Sequence, residues 1–152
     1  MTGGRVRAAV VAAKSEIVLH MLAGIETLPL DSEDALAADP RMLGAGESFL
    51  RRALEALFDL GRHVLAKGFG IPGAEYKDVA RYLGTHAVLG PGDAATMVAM
   101  AGYRNRLVHF YDEVTPAELY RILTVHRGDI RLLLNVLTAW VDSHPEIVDD
   151  AL

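Results

Sequence analysis

No cysteine occurs anywhere in the 152 residues. That absence removes disulfides, thiolate zinc sites and cysteine nucleophiles together, and it fits a reducing compartment. Aromatic residues are sparse at 7 %, with a single tryptophan. No uninterrupted apolar run approaches the roughly 20 residues of a membrane span. Arg5 and Arg7 precede an Ala/Val stretch in the manner of a signal peptide, but Lys14, Glu16 and His20 break it. Excess positive charge is missing too. The net charge is −5 and the sequence pI about 5.6, which argues against a general nucleic-acid coat protein. It leaves room for an enzyme that holds a few phosphates in one local arginine cluster. Glu-x-x-His, which a di-metal carboxylate bundle places on facing helices, does not occur. Neither a metal site nor a cofactor is therefore expected, and a cytoplasmic protein with no membrane partner is.

What the chain does have is apolar content, 51 % of all residues, with the spacing of amphipathic helices. A first helix is expected from Arg5 to about Leu28, lined by Val6, Val10, Ala13, Ile17, Met21 and Gly24 and stopped by Pro29. Leu30 to Asp39 reads as an acidic connector. Asp39-Pro40 forms a helix start, and the second helix runs to about Lys67 with Leu43, Leu50, Leu57 and Val64 at heptad spacing. A short helix over about 74–83 follows a glycine-rich loop. The next helix opens at Pro91, carries Ala94, Met97, Ala101 and Val108, and ends near 109–113. Thr115-Pro116-Ala117-Glu118 is a capping box with proline at the first position. Leu119, Ile122, His126, Ile130, Leu133, Leu137 and Trp140 continue from it as one stripe. The expected fold is all-α, an up-and-down bundle of four long helices plus a short one. A single domain should cover 1–144, and an acidic tail should fray over 145–152.

The segment richest in chemistry is Tyr103-Arg104-Asn105-Arg106-Leu107-Val108-His109-Phe110-Tyr111. A step of five residues rotates about 140° around a helix, so Arg104 and His109 do not share a face of a regular one. Either the helix loosens near His109 or a neighbouring chain completes the cluster. Arg52, Glu55, Asp59 and Arg62 or His63 recur at three- and four-residue steps on the second helix, opposite the leucines. They are either a solvated face of intrahelical pairs or acids that position Arg104 or His109.

Arg104-Asn105, Leu107-Val108-His109 and Tyr111 resemble the signature of HepT-like proteins in the HEPN superfamily: arginine, four residues, histidine, one residue, tyrosine. Ala53-Leu54-Glu55-Ala56 with Asp59, Gly70-Ile71-Pro72, Tyr76 and Tyr120-Arg121-Ile122-Leu123 also match, so the resemblance covers roughly Ser48 to Leu137. Met1 to Glu47 resembles the family only loosely. The resemblance implies a homodimer with the signatures facing each other, a toxin that cuts RNA without a metal ion, and a nucleotidyltransferase antitoxin that transfers AMP to the signature tyrosine. Carried onto this chain, Arg104 and His109 are the cleavage pair, Asn105, Glu55 and Asp59 support them, and Tyr111 is the AMPylation site.

The residue types suit that chemistry. RNA carries a 2′-hydroxyl beside each phosphate. An imidazole titrates at about 6.5 and serves as acid or base near neutrality. A guanidinium keeps its charge and grips phosphate oxygens as a fork. The competing reading is a non-catalytic helical partner that binds nucleotides or positions substrate for a separate nucleotidyltransferase. Two other patterns are set aside. Gly68, Gly70 and Gly73 spell a dinucleotide-binding pattern, but it follows a helix and contains Pro72. His126 and His20 read as packed histidines. Phe49, Phe58, Phe69, Phe110 and Trp140 exceed what one stripe per helix needs, and some of them are expected to fill a partner interface.

Overall fold

The computed structural model describes residues 5–109 and 113–150. Strand β1 (Val6–Arg7) leads into helix α1 (Ala8–Glu26); α2 (Glu33–Ala37), α3 (Pro40–Phe69), α4 (Tyr76–Thr85) and α5 (Pro91–His109) follow. Helix α6 (Pro116–Arg121) continues through one π-helical turn, Ile122–His126, into α7 (Arg127–Asp142), and β2 (Val148–Asp149) closes the described chain. This is the all-α bundle that the periodicity predicts. The long helix α3 is its axis, packed against α1 on one side and α4, α5 and α7 on others.

The starts of α3 and α6 follow from local chemistry. Asp39 accepts the Arg41 N–H at 2.9 Å and Thr115 accepts the Glu118 N–H at 3.1 Å, and a proline opens each helix, where its missing N–H costs nothing. Of the predicted stripe, helix α3 buries Leu50, Leu57 and Val64, with Ala53 and Gly61 beside them, whereas Leu43 is only partly buried. Burying each leucine stabilises the fold by about 1.5–3 kcal/mol.

Four expectations change. Helix α1 buries Val18, Met21, Leu22 and Ile25, whereas Ile17 is 39 % exposed. The helix is apolar on nearly every side, so spacing alone could not select its buried face. It is also long and apolar enough, by length and composition alone, to cross a membrane. The connector after Pro29 contains α2, capped by Ser32, which accepts the Ala35 N–H at 3.0 Å. The stripe after Leu119 is buried at Ile122, Ile130, Leu133 and Leu137 as predicted, but one π-helical turn falls inside it, His126 and Trp140 are only partly buried, and Leu123, Leu134 and Val141 widen the core face. Where fraying was expected after Ser143, a 3₁₀ turn over Pro145–Ile147 leads into β2. Val148 there pairs with Val6, and Asp149 with Arg7, in a parallel ribbon.

Candidate functional site

A cleft of about 470 Å³ lies where α3, α4 and α5 meet, lined by Arg62, Glu75, Tyr76, Lys77, Arg104, Asn105 and His109. Its walls depend on two glycine features. Gly70 at φ 69° and Gly73 at φ 66° adopt left-handed backbone, which ends α3 and turns the chain back. Gly61 then lets α4 lie close on α3: a Cβ there would sit 3.0 Å from both Leu83 Cδ1 and Val79 Cγ1. The glycines that mimic a nucleotide-binding pattern are thus a helix stop and a turn, and their effect is to bring Tyr76 over Asp59 and Arg62.

Arg104 enters this cleft from α5. Its Cζ stands 4.7 Å from the Tyr76 ring centroid. Its Nη1 donates to Asn105 Oδ1 at 3.3 Å, and Nη2 is 3.9 Å from Glu55 Oε2. Its Nε is buried and has no hydrogen-bond partner among the described residues. The Tyr76 ring stacks on the fully buried Phe58, centroids 4.9 Å apart, and its hydroxyl donates to Asp59 Oδ1 at 3.0 Å. Burial, reinforced by the Asp59 charge and hydrogen bond, pushes the Tyr76 phenol up to about 12, so it stays a protonated donor throughout the physiological range. Arg62 approaches the same ring at 4.8 Å. Its Nε donates to Ala74 O at 3.0 Å, and its Nη1 lies 3.6 Å from Asp59.

Arg104, Asn105 and His109 therefore line one cleft of a single chain. Helix α5 stays α-helical to His109, its last residue. The long Arg104 side chain reaches across to α4, so the cleft wraps around the end of α5 despite the five-residue step. His109 is exposed there. Of the two α3 acids expected to support the pair, Glu55 faces Arg104 and also accepts from Arg51 at 2.8 Å. Asp59 reaches Arg104 only through Tyr76, and it meets Lys14 at 3.5 Å. Tyr111 and Phe110 lie outside the described residues. Arg52 is exposed on the α1–α3 groove, away from this cleft.

Arg106 leaves α5 toward α6. It forms a two-nitrogen fork on Glu118, with Nη2 to Oε2 at 2.6 Å and Nη1 on Oε1. His126 behaves as the packed histidine expected, 3.2 Å from Asp129 Oδ2. His20 does not: it is exposed on the α1–α3 groove. His63 Nε2 accepts the Arg7 N–H at 2.9 Å and so fastens β1 to α3. Three of the extra aromatics turn inward rather than outward. Phe58 is fully buried, and the Phe69 and Trp140 rings pack at 5.5 Å. Tyr76 and Arg62 carry much of the cleft. Neither stood out in the sequence as a site residue, because the contacts that matter run between α3, α4 and α5. Among the described residues, no three His, Asp or Glu side chains converge as a metal site.

Residues 18–137 match the family model described as ribonuclease HepT-like. A tRNA nuclease HepT from Aphanizomenon flos-aquae (strain 2012/KM1/D3) is 30 % identical over 108 residues, 70 % of each chain. Among solved structures, the tri-AMPylated HEPN toxin of Shewanella oneidensis in complex with its MNT antitoxin superposes with a TM-score of 0.77 at 18 % identity, covering 86 % of this chain and 97 % of that one. A cytosolic protein of unknown function from Bacillus subtilis superposes at TM-score 0.71 and 20 % identity, over 88 % and 90 % of the two chains.

Proposed function

Because the chain belongs to the HepT-like ribonuclease family, we propose that it is a metal-independent RNA endonuclease, the toxin of a toxin–antitoxin pair, acting through Arg104 and His109. The observation that carries this reading is the convergence of the two side chains on one cleft. Arg104 meets the phosphate and stabilises the charge that builds on its oxygens. An imidazole removes the 2′-hydroxyl proton; the 2′-oxygen attacks phosphorus, and the bond to the 5′-oxygen breaks. A second acid protonates that leaving oxygen. The products are a 2′,3′-cyclic phosphate and a 5′-hydroxyl, so no water and no metal is consumed. DNA, which lacks the 2′-hydroxyl, is not a substrate.

One His109 supplies either the base or the acid. A homodimer brings a second copy and completes the pair. The exposed apolar side chains of α1, Ile17 at 39 % and Leu19 at 41 %, are compatible with such packing. A relative named as a tRNA nuclease makes tRNA the first substrate to try. The tri-AMPylated toxin bound to an MNT antitoxin supports neutralisation of this chain by a nucleotidyltransferase that adds AMP to Tyr111. AMP would add bulk and a negative charge of the same sign as the RNA phosphates, and so oppose RNA binding. Both events belong in the cytoplasm.

The test is purified protein with tRNA in EDTA. Wild type is expected to give products ending in cyclic phosphate, and His109→Ala none, with its helical circular dichroism intact. Stable RNA binding without cleavage by the wild type would favour the non-catalytic partner instead. Intact mass after co-expression with a neighbouring nucleotidyltransferase should rise by whole AMP units, and Tyr111→Phe should abolish the rise. Sedimentation showing only monomer at micromolar concentration would remove the dimer.

A further inference from the structure

We propose that Tyr76 is the positioning residue of the cleft: its ring carries the Arg104 guanidinium, and its hydroxyl anchors that ring to Asp59 on α3. The catalytic consequence rests on the ribonuclease reading above; the stacking itself does not.

Four contacts meet at this one side chain. Arg104 lies over the ring at 4.7 Å and Arg62 at 4.8 Å. Phe58 stacks on the ring at 4.9 Å, and Asp59 accepts its hydroxyl at 3.0 Å. Arg104 has little else to hold it. Its carboxylate neighbour Glu55 is 3.9 Å away and already accepts from Arg51. Among the described residues, its hydrogen bond goes to the amide of the adjacent Asn105. A guanidinium on an aromatic face gains about 0.5–2 kcal/mol from the ring quadrupole and keeps its peripheral N–H donors available. A tight carboxylate fork would use those donors up. The ring therefore fixes the plane of the cation without neutralising it, which is what a pre-organised phosphate site requires.

The buried Nε fits this description. It is closed off from solvent and has no hydrogen-bond partner among the described residues, and the burial leaves Arg104 only its terminal nitrogens to present to a ligand. Asp59 then acts on the cleft indirectly. It orients Tyr76, and it also neighbours Arg62 at 3.6 Å, which keeps the second arginine on the same ring.

Two substitutions separate the parts. Tyr76→Phe keeps the ring and loses the hydroxyl; Tyr76→Leu loses the ring and keeps apolar bulk against Phe58. The direct readout is the Arg104 Nε–H resonance in a proton–nitrogen spectrum, assigned by its disappearance in Arg104→Lys. It is expected to be shifted upfield by the ring and slow to exchange in wild type, and to move partway toward ordinary arginines in Tyr76→Phe, where the ring stays but its anchor to Asp59 is lost. In Tyr76→Leu it should move to the position of ordinary arginines and exchange rapidly. With saturating tRNA under single-turnover conditions, Tyr76→Leu should cut about 100-fold more slowly, the size of loss a misplaced catalytic group produces. Tyr76→Phe should fall between Tyr76→Leu and wild type, because the ring is retained without its anchor. The dissociation constant for uncleavable 2′-O-methyl RNA should change less than the cleavage rate in both.

Asp59→Ala serves if Tyr76→Leu does not fold. It releases the ring anchor and should give a partial shift of the same resonance. A folded Tyr76→Leu that leaves the Nε–H signal in place, or that cuts RNA at the wild-type rate, overturns the proposal. If wild type cuts no RNA, the ribonuclease reading fails, and the resonance still decides whether Tyr76 holds Arg104.

Discussion

Arg104 and Arg106 leave α5 two residues apart, about 200° around the helix, and their surroundings differ in kind. On one flank Arg106 places two nitrogens on Glu118 and a third contact on Glu113 O at 3.4 Å. The Glu118 hydrogen bonds push its guanidinium above the ordinary arginine range. Its donors are spent on holding α6 to α5. On the other flank Arg104 meets, among the described residues, a ring face, an amide and a carboxylate 3.9 Å away, and no fork ties up its terminal nitrogens. An arginine satisfied by a fork serves the fold, whereas an arginine steadied by a ring has donors left for a ligand. The composition of the segment, with two arginines and one amide between them, does not distinguish the two; the partners on α3, α4 and α6 do.

That contrast can be broken by exchange of roles. Arg104→Ala is expected to lower single-turnover RNA cleavage by about 100- to 1000-fold, as loss of a charge-stabilising donor does, with little change in the denaturation midpoint. Arg106→Ala should do the reverse. It should cost about 1 kcal/mol in urea unfolding, the worth of a partly exposed charged hydrogen bond, and leave cleavage within a few-fold. Between these lies Phe58→Ala. It should destabilise by about 3–5 kcal/mol and also slow cleavage, because the Tyr76 ring loses its support.

The smallest effect concerns His63, which follows Arg62 on α3. Burial first, then Lys67 and Arg7, lower the His63 titration. The neutral imidazole accepts the Arg7 N–H, and the protonated ring cannot. The stability that this bond contributes is therefore complete above the unfolded histidine range, about pH 6.5, and is lost as pH falls through the lower folded value. The protection of the Val6 and Val148 amides, measured relative to their intrinsic exchange rates at each pH, should fall between pH 7 and pH 5 in wild type. In His63→Gln that fall should be absent.

Much of the bundle was legible because its signals are local. Asp39-Pro40 and Thr115-Pro116 mark helix starts by capping chemistry, and the α3 leucines repeat over a long helix. Helix α1 defeated the same reading, since a helix apolar on every side has no phase to read. The stripe from Leu119 to Leu137 was legible on both sides of the π-turn at Ile122–His126, while the turn itself left no mark in the spacing. The ribbon between Val6 and Val148 joins two-residue segments from the two ends of the chain, too short for any alternation to register. The cleft divides in the same way. Arg104, Asn105 and His109 stood out because they sit in one short string. Glu55 and Asp59 stood on a helix face with two readings, and only the position of α4 brings the Tyr76 hydroxyl to Asp59. Tyr76 itself lies 28 residues before Arg104 in the chain, and no spacing rule joins them.

The most direct measurement uses end-labelled tRNA in EDTA, with one 2′-deoxy nucleotide placed at the mapped cleavage point. Wild type should cut the all-ribose strand to a cyclic-phosphate end and leave the substituted bond whole. Cleavage at the deoxy position, or equal cleavage of the all-ribose strand by Arg104→Ala, would contradict the assignment of this cleft as the place where RNA is cut.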